Sequence, residues 1–276
     1  MEQKPLTLPE IQQVSLEIVK KIHEICKKLN LRYYLAYGTL IGAIRHQGFI
    51  PWDDDLDIMM SRADYRILQA YFQDHKQEHA PLELLCPATN ADYPYTIGRV
   101  SHSGYVIDTD NEKPCGLGVF VDIYPLDYVG NTEEEYTRIK NKASRYASLC
   151  FLSTRKRCTK GNTKSTLKLL IKFPAFLVAK LFGKKFFFRK LEKLALTFDG
   201  QPTAYIGCVE WGGDGVKDVY PVEWFGQGKA LPFEDAQLIV PDNYDSVLRR
   251  MYGDYMQLPP VEKRVNHCPD ILDLGE

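Results

Sequence analysis

The chain is 276 residues long and 45% hydrophobic, with a formal net charge of −1. That length suits one large domain, or a core domain with a sizeable insertion, and is enough to bury a substantial core. The even charge balance excludes a function resting on bulk attraction to nucleic acid, so no nucleic-acid partner is expected.

Seven cysteines, Cys26, Cys86, Cys115, Cys150, Cys158, Cys208 and Cys268, form no Cys-x-x-Cys pair. A zinc ribbon or thioredoxin-type motif therefore has no support, and the odd, irregular set reads as reduced thiols of a cytosolic protein. The start, Met1-Glu2-Gln3-Lys4-Pro5, has no apolar signal core, and no stretch is long and apolar enough to span a bilayer. The expected location is cytoplasmic, with peripheral attachment at the inner face of the cell membrane as the alternative that a basic segment raises below.

Ile11, Val14, Ile18, Ile22, Ile25 and Leu29 recur at three- and four-residue steps. They predict one apolar stripe on a helix from about Leu8, with Pro9 in its first turn and Asn30 as its stop. Tyr33 to Ala36 reads as a short buried strand. Gly38-Thr39 opens a tight turn into a short helix carrying Leu40, Ile41, Ala43 and Ile44, ended by Gly48 and Pro51. Leu56 to Met60 reads as a strand. Ser61 with Asp64 caps a helix running to about Gln77.

Strands are predicted near Leu82–Leu85, Thr96–Val100, Tyr105–Ile107 and, most apolar, Leu117–Ile123. Thr132 and Glu135 form a capping box for a helix through about Cys150. From Arg155 to Lys193 thirteen basic residues alternate with large apolar ones, and Pro174 is expected to kink or divide the helix there. Short strands near Tyr205–Val209 and Gln237–Val240, a helix from Tyr244 to Met251 and an irregular tail, Pro259 to Arg264, complete the chain.

The chemistry concentrates in the run Pro51-Trp52-Asp53-Asp54-Asp55-Leu56-Asp57-Ile58. On a strand, Asp55 and Asp57 share a face while Leu56 and Ile58 face the core. Two carboxylates that close repel unless a cation lies between them, and a hard ion, Mg²⁺ or Mn²⁺, suits carboxylate and phosphate oxygens together. A lone Asp-x-Asp is more often a solvated loop. Here Asp57 lies in an apolar segment, where an unpaired charge is costly. A Gly38-Thr39 turn precedes it, suited to binding phosphate through backbone N–H groups. Asp122 offers a third carboxylate at the end of another apolar strand.

The segment Tyr37-Gly38-Thr39-Leu40-Ile41-Gly42-Ala43-Ile44-Arg45-His46-Gln47-Gly48-Phe49-Ile50-Pro51-Trp52-Asp53-Asp54-Asp55-Leu56-Asp57-Ile58 resembles the signature of the LicD family. That family includes bacterial phosphocholine transferases, is related to the fukutin proteins and belongs to the nucleotidyltransferase-fold superfamily. Gly118 to Asp127, Tyr252-Gly253-Asp254-Tyr255-Met256 and the Pro-Pro-x-x-Lys-Arg tail extend the resemblance over nearly the whole chain, weakest in the basic insertion. It implies that Gly38 and Thr39 match the superfamily's phosphate turn, Asp55 and Asp57 its metal-binding pair, and Asp122 its third carboxylate.

The implied reaction is Mg²⁺-dependent transfer of phosphocholine from CDP-choline to a hydroxyl of a lipid-linked glycan precursor, of the teichoic acid or lipopolysaccharide type, releasing CMP. Asp122 would take the proton of the acceptor hydroxyl. Another CDP-alcohol donor (ribitol or glycerol phosphate), a true nucleotidyltransferase releasing pyrophosphate, and a non-catalytic scaffold or RNA-binding module stay open as alternatives. Arg45 and His46 are candidates to hold phosphate, and Lys263, Arg264 and His267 to close over the nucleotide. Trp52, Tyr124 and Trp211 are the aromatic candidates for a quaternary ammonium.

Residues 165–190 mix cations with aromatic groups in the manner of a segment lying on an anionic membrane. The alternative is a helical hairpin packed on the core with its lysines in water. The expected fold is α/β (α+β): a nucleotidyltransferase-like small mixed sheet flanked by helices. The expected organisation is a catalytic core over 1–150, a basic helical insertion over 151–200 and a C-terminal part, 201–276, completing the core and substrate site.

Overall fold

The computed structural model describes residues 5–107, 111–159, 166–211, 215–264 and 271–274. Helix α1 (Leu8–Leu29) starts at a Thr7–Glu10 capping box and ends at Asn30 in the left-handed conformation. Its stripe of Ile11, Ile18, Ile22 and Ile25 is buried, as the three- and four-residue spacing predicts. Strand β1 (Tyr33–Leu35) leads into α2 (Tyr37–Arg45), so Gly38 and Thr39 lie within the first turn of that helix. Strand β2 is Asp57–Ser61, and α3 (Arg62–Asp74) is capped by the Ser61 hydroxyl accepting from the Asp64 amide.

Strands β3 (Leu82–Leu85), β4 (Gly98–His102) and β5 (Tyr105–Ile107) follow, then the long β6 (Val119–Gly130). Helix α4 (Glu133–Thr154) opens on the Thr132–Glu135 capping box, and α5 (Thr166–Ala195) returns against it. Strands β7 (Tyr205–Gly207), β8 (Val219–Pro221), β9 (Lys229–Phe233) and β10 (Ala236–Val240), helix α6 (Tyr244–Tyr252) and β11 (Ile271–Asp273) complete the described elements.

The main sheet runs β1-β2-β6-β4-β3, with β7 on the far half of β6 and β8 on β7. Among the described residues only β2 and β6 of this sheet pair in parallel. This is the mixed α/β architecture expected, and its principal core draws residues from α1, the sheet, β9, β10 and α6.

Several boundaries differ from expectation. Strand β2 starts at Asp57, so Asp55 precedes the strand rather than lying on it. Asp122 sits inside β6, not at its end. The first half of β6 pairs β2 and β4 and its last residues pair β7, and this second partner extends the strand. Helix α3 stops at Asp74. Pro174 stays within α5, whose break falls at Gly183 (φ 73°, ψ 169°). A positive φ costs glycine little, so glycine takes the break. Strands β8, β9 and β11 have no counterpart in the sequence reading, being three to five residues long.

A candidate phosphotransfer site at the start of strand β2

The register of the sheet builds the site. Asp57 on β2 lies opposite Asp122 on β6, and Asp122 lies opposite Arg99 on β4. Cross-strand partners share a face, so three charged side chains stand in one row across three adjacent strands. All three are buried. Arg99 Nε donates to Asp122 Oδ1 at 2.5 Å and Nη2 to Oδ2 at 3.3 Å. The guanidinium also lies over the rings of Tyr95 (3.8 Å) and Phe120 (4.0 Å). Asp122 is thus neutralised by a cation of the chain itself.

Asp57 has no such partner. Its amide donates to Thr39 Oγ1 at 2.9 Å, which ties the strand start to α2. The Tyr124 hydroxyl bonds its carboxylate, yet Oδ1 is buried with no hydrogen-bond partner among the described residues. Burial first, then the carboxylates of Asp55, Asp122 and Asp53, hold the Asp57 carboxyl well above its usual range. Asp55 is pushed up to about 8, again by burial first and then by Asp53, Asp122 and Asp54.

Asp53 belongs to this cluster although the sequence points only to Asp55 and Asp57. Its carboxylate lies against Gly38, where a Cβ would meet Asp53 Oδ2 at 2.6 Å. Any side chain at position 38 would displace that carboxylate. The anion at the start of α2, which a helix N-terminus favours, is therefore a carboxylate of the chain.

As they stand, no three His, Cys, Asp or Glu side chains among the described residues are grouped closely enough to hold a metal ion. The donor chemistry still fits a cation. An orphaned carboxylate oxygen on the buried Asp57, crowded by the half-buried Asp53 and Asp55, makes an acidic centre that a hard divalent ion would neutralise.

Two clusters flank the acids. On one side Arg45 Nε donates to His46 Nε2 at 3.0 Å and Arg45 Nη1 to the Tyr255 carbonyl at 2.8 Å. Arg264 lies 4.9 Å over the Trp52 ring, and burial together with the nearby Arg264 lowers the Arg45 pKa. Arg45, His46, Trp52 and Arg264, far apart in sequence, are thus brought together. The Lys263 side chain and His267 lie outside the described residues.

On the other side Tyr37 meets Tyr124 edge-on at 4.8 Å, and Tyr124 meets Trp211 edge-on at 5.8 Å. Tyr37 has a left-handed φ of 45°, a strained conformation for a bulky residue. The segment carrying Trp211 is pinned from three directions. Lys140 of α4, with no exposed surface, donates to the carbonyls of Cys208 (2.6 Å) and Trp211 (3.3 Å) and pairs with Asp218 at 3.4 Å. Thr96 Oγ1 donates to the Glu210 carbonyl, and Arg62 bridges the Glu210 and Asp127 carboxylates.

Sequence reasoning passed over Arg99, Lys140, Arg62 and Asp127. The available signal was a charge at a core position of an apolar strand or helix.

A mixed sheet bearing paired acids beside a short helix that opens on Gly-Thr is the arrangement of a nucleotidyltransferase-type domain. Residues 30–162 match the family described as LicD/FKTN/FKRP, nucleotidyltransferase domain. The chain is 34% identical over 268 residues to the lipopolysaccharide cholinephosphotransferase LicD of Haemophilus influenzae, covering 96% of this chain and 97% of that one. It is also 37% identical over 136 residues to an uncharacterized protein of Rickettsia typhi (47% of this chain, 40% of the relative). A third relative, an uncharacterized protein of Rickettsia prowazekii, is 44% identical over 61 residues (22% and 23%). The chain belongs to the LicD family and is an enzyme of the phosphotransferase class.

Proposed function

We propose that this enzyme transfers phosphocholine from CDP-choline to a hydroxyl of a cell-surface glycan precursor and releases CMP. The observation that carries the reading is the crowded, cation-demanding cluster of the buried Asp57 with the half-buried Asp53 and Asp55 at the start of β2. The named H. influenzae relative, similar from end to end, favours phosphocholine and a lipopolysaccharide-type acceptor. Teichoic acid precursors would meet the same catalytic demands.

Asp55 and Asp57 would hold Mg²⁺ (or Mn²⁺), which supplies charge neutralisation at the phosphoryl group in transfer. Asp122 stands in the same row with both oxygens on Arg99, so in this arrangement it orders the site rather than offering a free ligand. Arg45 and Arg264, gathered with Trp52 beside the acidic run, make no ion pair to a carboxylate among the described residues. They suit the donor's diphosphate. The acidic run supplies the negative potential that a quaternary ammonium needs. The acceptor oxygen attacks the phosphocholine phosphorus, the bond to the CMP oxygen breaks, and a carboxylate of the cluster takes the hydroxyl proton. Alignment and charge stabilisation supply most of the acceleration.

Incubation with Mg²⁺ and a panel of CDP-alcohols should yield CMP, fastest with CDP-choline. Pyrophosphate from CTP, with no CMP from any CDP-alcohol, would turn the reading to a nucleotidyltransferase. CMP release fastest with CDP-ribitol or CDP-glycerol would keep the chemistry and change the donor.

The basic segment supports peripheral attachment to a membrane that carries the acceptor. Helix α5 buries Ala179, Phe187, Leu191 and Ala195 against α4 and neighbouring residues. Phe173, Leu177, Val178, Leu181, Phe182 and Phe186 stay exposed, Leu181 at 80%. Lys180, Lys185, Arg189 and Lys190 are exposed among them. Apolar groups ringed by cations match an anionic lipid surface. No helix among the described residues is long and apolar enough to cross a membrane. The protein should float with anionic vesicles at low salt, and a Leu181→Glu/Phe182→Glu variant should not. Absence of flotation by the unmodified protein would remove the membrane reading.

A further inference from the structure

A cavity of about 400 Å³ lies between α4, α5 and the segment leading into β4. That is near the lower end of the range for small-molecule sites. Tyr95, Phe151 and Trp211 give it aromatic walls, and Thr96 and Ser148 add hydroxyl-bearing ones. It shares two walls with the acidic site. Trp211 meets Tyr124, whose hydroxyl bonds Asp57. Tyr95 lies under Arg99, which holds Asp122.

The cavity is built rather than incidental. Trp211 is fixed through its own carbonyl and that of Cys208 by the buried Lys140, and the Thr96 hydroxyl is fixed on the Glu210 carbonyl. The Thr96 oxygen, spending its proton there, remains able to accept.

Its charges decide between the two ends of the donor. Lys172 lines the cavity, and the Arg155 guanidinium lies 3.6 Å from the Phe151 ring centre. Glu112 accepts from Arg155 and from the Tyr95 hydroxyl, so that its charge is already matched. A quaternary ammonium would enter beside the Lys172 cation. A flat neutral ring would instead stack on aromatic faces that tolerate any base.

We propose that the cavity walled by Tyr95, Phe151 and Trp211 seats the pyrimidine ring of the nucleotide donor, with the donor's phosphates running past Tyr124 towards Asp57. This assignment rests on the phosphotransfer reading given above. It places the base on the opposite side of Trp211 from Tyr124 and leaves the acidic side of the site to the alcohol.

Isothermal titration with CMP and, separately, with phosphocholine, both in the presence of Mg²⁺, tests it on the full chain. Phe151 is 47% exposed, so Phe151→Ala should leave the fold intact, and Ser148→Phe fills the cavity from α4. Phe151→Ala should weaken CMP binding about tenfold, the size of one lost base–aromatic stack, and leave phosphocholine within twofold. Ser148→Phe should weaken CMP further. CMP affinity unchanged in both variants would overturn the assignment, as would weakened phosphocholine with intact CMP. In either case the phosphotransfer reading would stand. Failure of the unmodified protein to bind either ligand would instead sink that reading, and the cavity assignment with it.

Discussion

Asp57→Asn should abolish transfer and make the metal-free protein more stable. Both effects come from one side chain. Asp57 is buried, its Oδ1 is orphaned, and it is crowded by Asp55, Asp122 and Asp53. An uncompensated buried carboxylate is a net cost to the fold. An amide of the same shape removes the charge, keeps the bond from Tyr124 and should stabilise the metal-free protein by about 1–3 kcal/mol. At roughly 2–4 °C per kcal/mol for a chain of this size, the melting temperature rises by several degrees.

The same variant loses the charge that would hold the cation. Several kcal/mol of transition-state stabilisation go with it, so turnover should fall about a thousandfold or more. Thermal melts without metal and CMP release with Mg²⁺ check the two halves. A variant that is both less stable and still active would refute the account of Asp57.

The pH dependence carries the same sign. Asp55 has a folded value of about 8 against an ordinary 3.8, so the unfolded chain gives up that proton more readily than the fold does. Its contribution to stability is present below 3.8 and is lost as pH rises through about 8. In the absence of metal, melting temperature should therefore fall less between pH 6 and 8.5 in Asp55→Asn than in the unmodified chain.

Arg99→Leu should be among the most destabilising substitutions in the molecule. It leaves Asp122 buried with no counter-charge, next to an Asp57 that already lacks one. Removing one partner of a buried pair costs about 3–5 kcal/mol. The two contacts over Tyr95 and Phe120 are lost as well. The double variant Arg99→Leu/Asp122→Leu should recover most of that loss, because the orphaned charge goes too. Urea denaturation of the single and double variants measures the difference. A single variant as stable as the unmodified chain would mean that the pair does not order the carboxylate row.

How much of this the sequence reveals depends on the range of the signal. Helices α1 and α4 are legible because capping boxes and apolar spacing are local, and β2 to within a residue because Ile58 to Met60 are apolar. Asp55, Asp57 and Asp122 are legible as acids set in or beside apolar segments, and the motif around them carries a family resemblance. The row Asp57–Asp122–Arg99 is not legible, since it depends on the register of three strands distant in sequence. The role of Asp53 needed the fold of the turn back onto Gly38. The meeting of Arg264 with Trp52 depends on how the tail crosses the start of the acidic run. The break at Gly183 instead of Pro174 shows two local rules in competition, with helix continuity winning at the proline.

The central claim is that the acids at the start of β2 form a cation-dependent phosphotransfer centre. Titration of Mn²⁺ into the protein in the presence of CMP, followed by electron paramagnetic resonance, tests it most directly. The account predicts saturable Mn²⁺ binding that Mg²⁺ displaces and that Asp55→Asn and Asp57→Asn each abolish. Undiminished Mn²⁺ binding in both variants would contradict it.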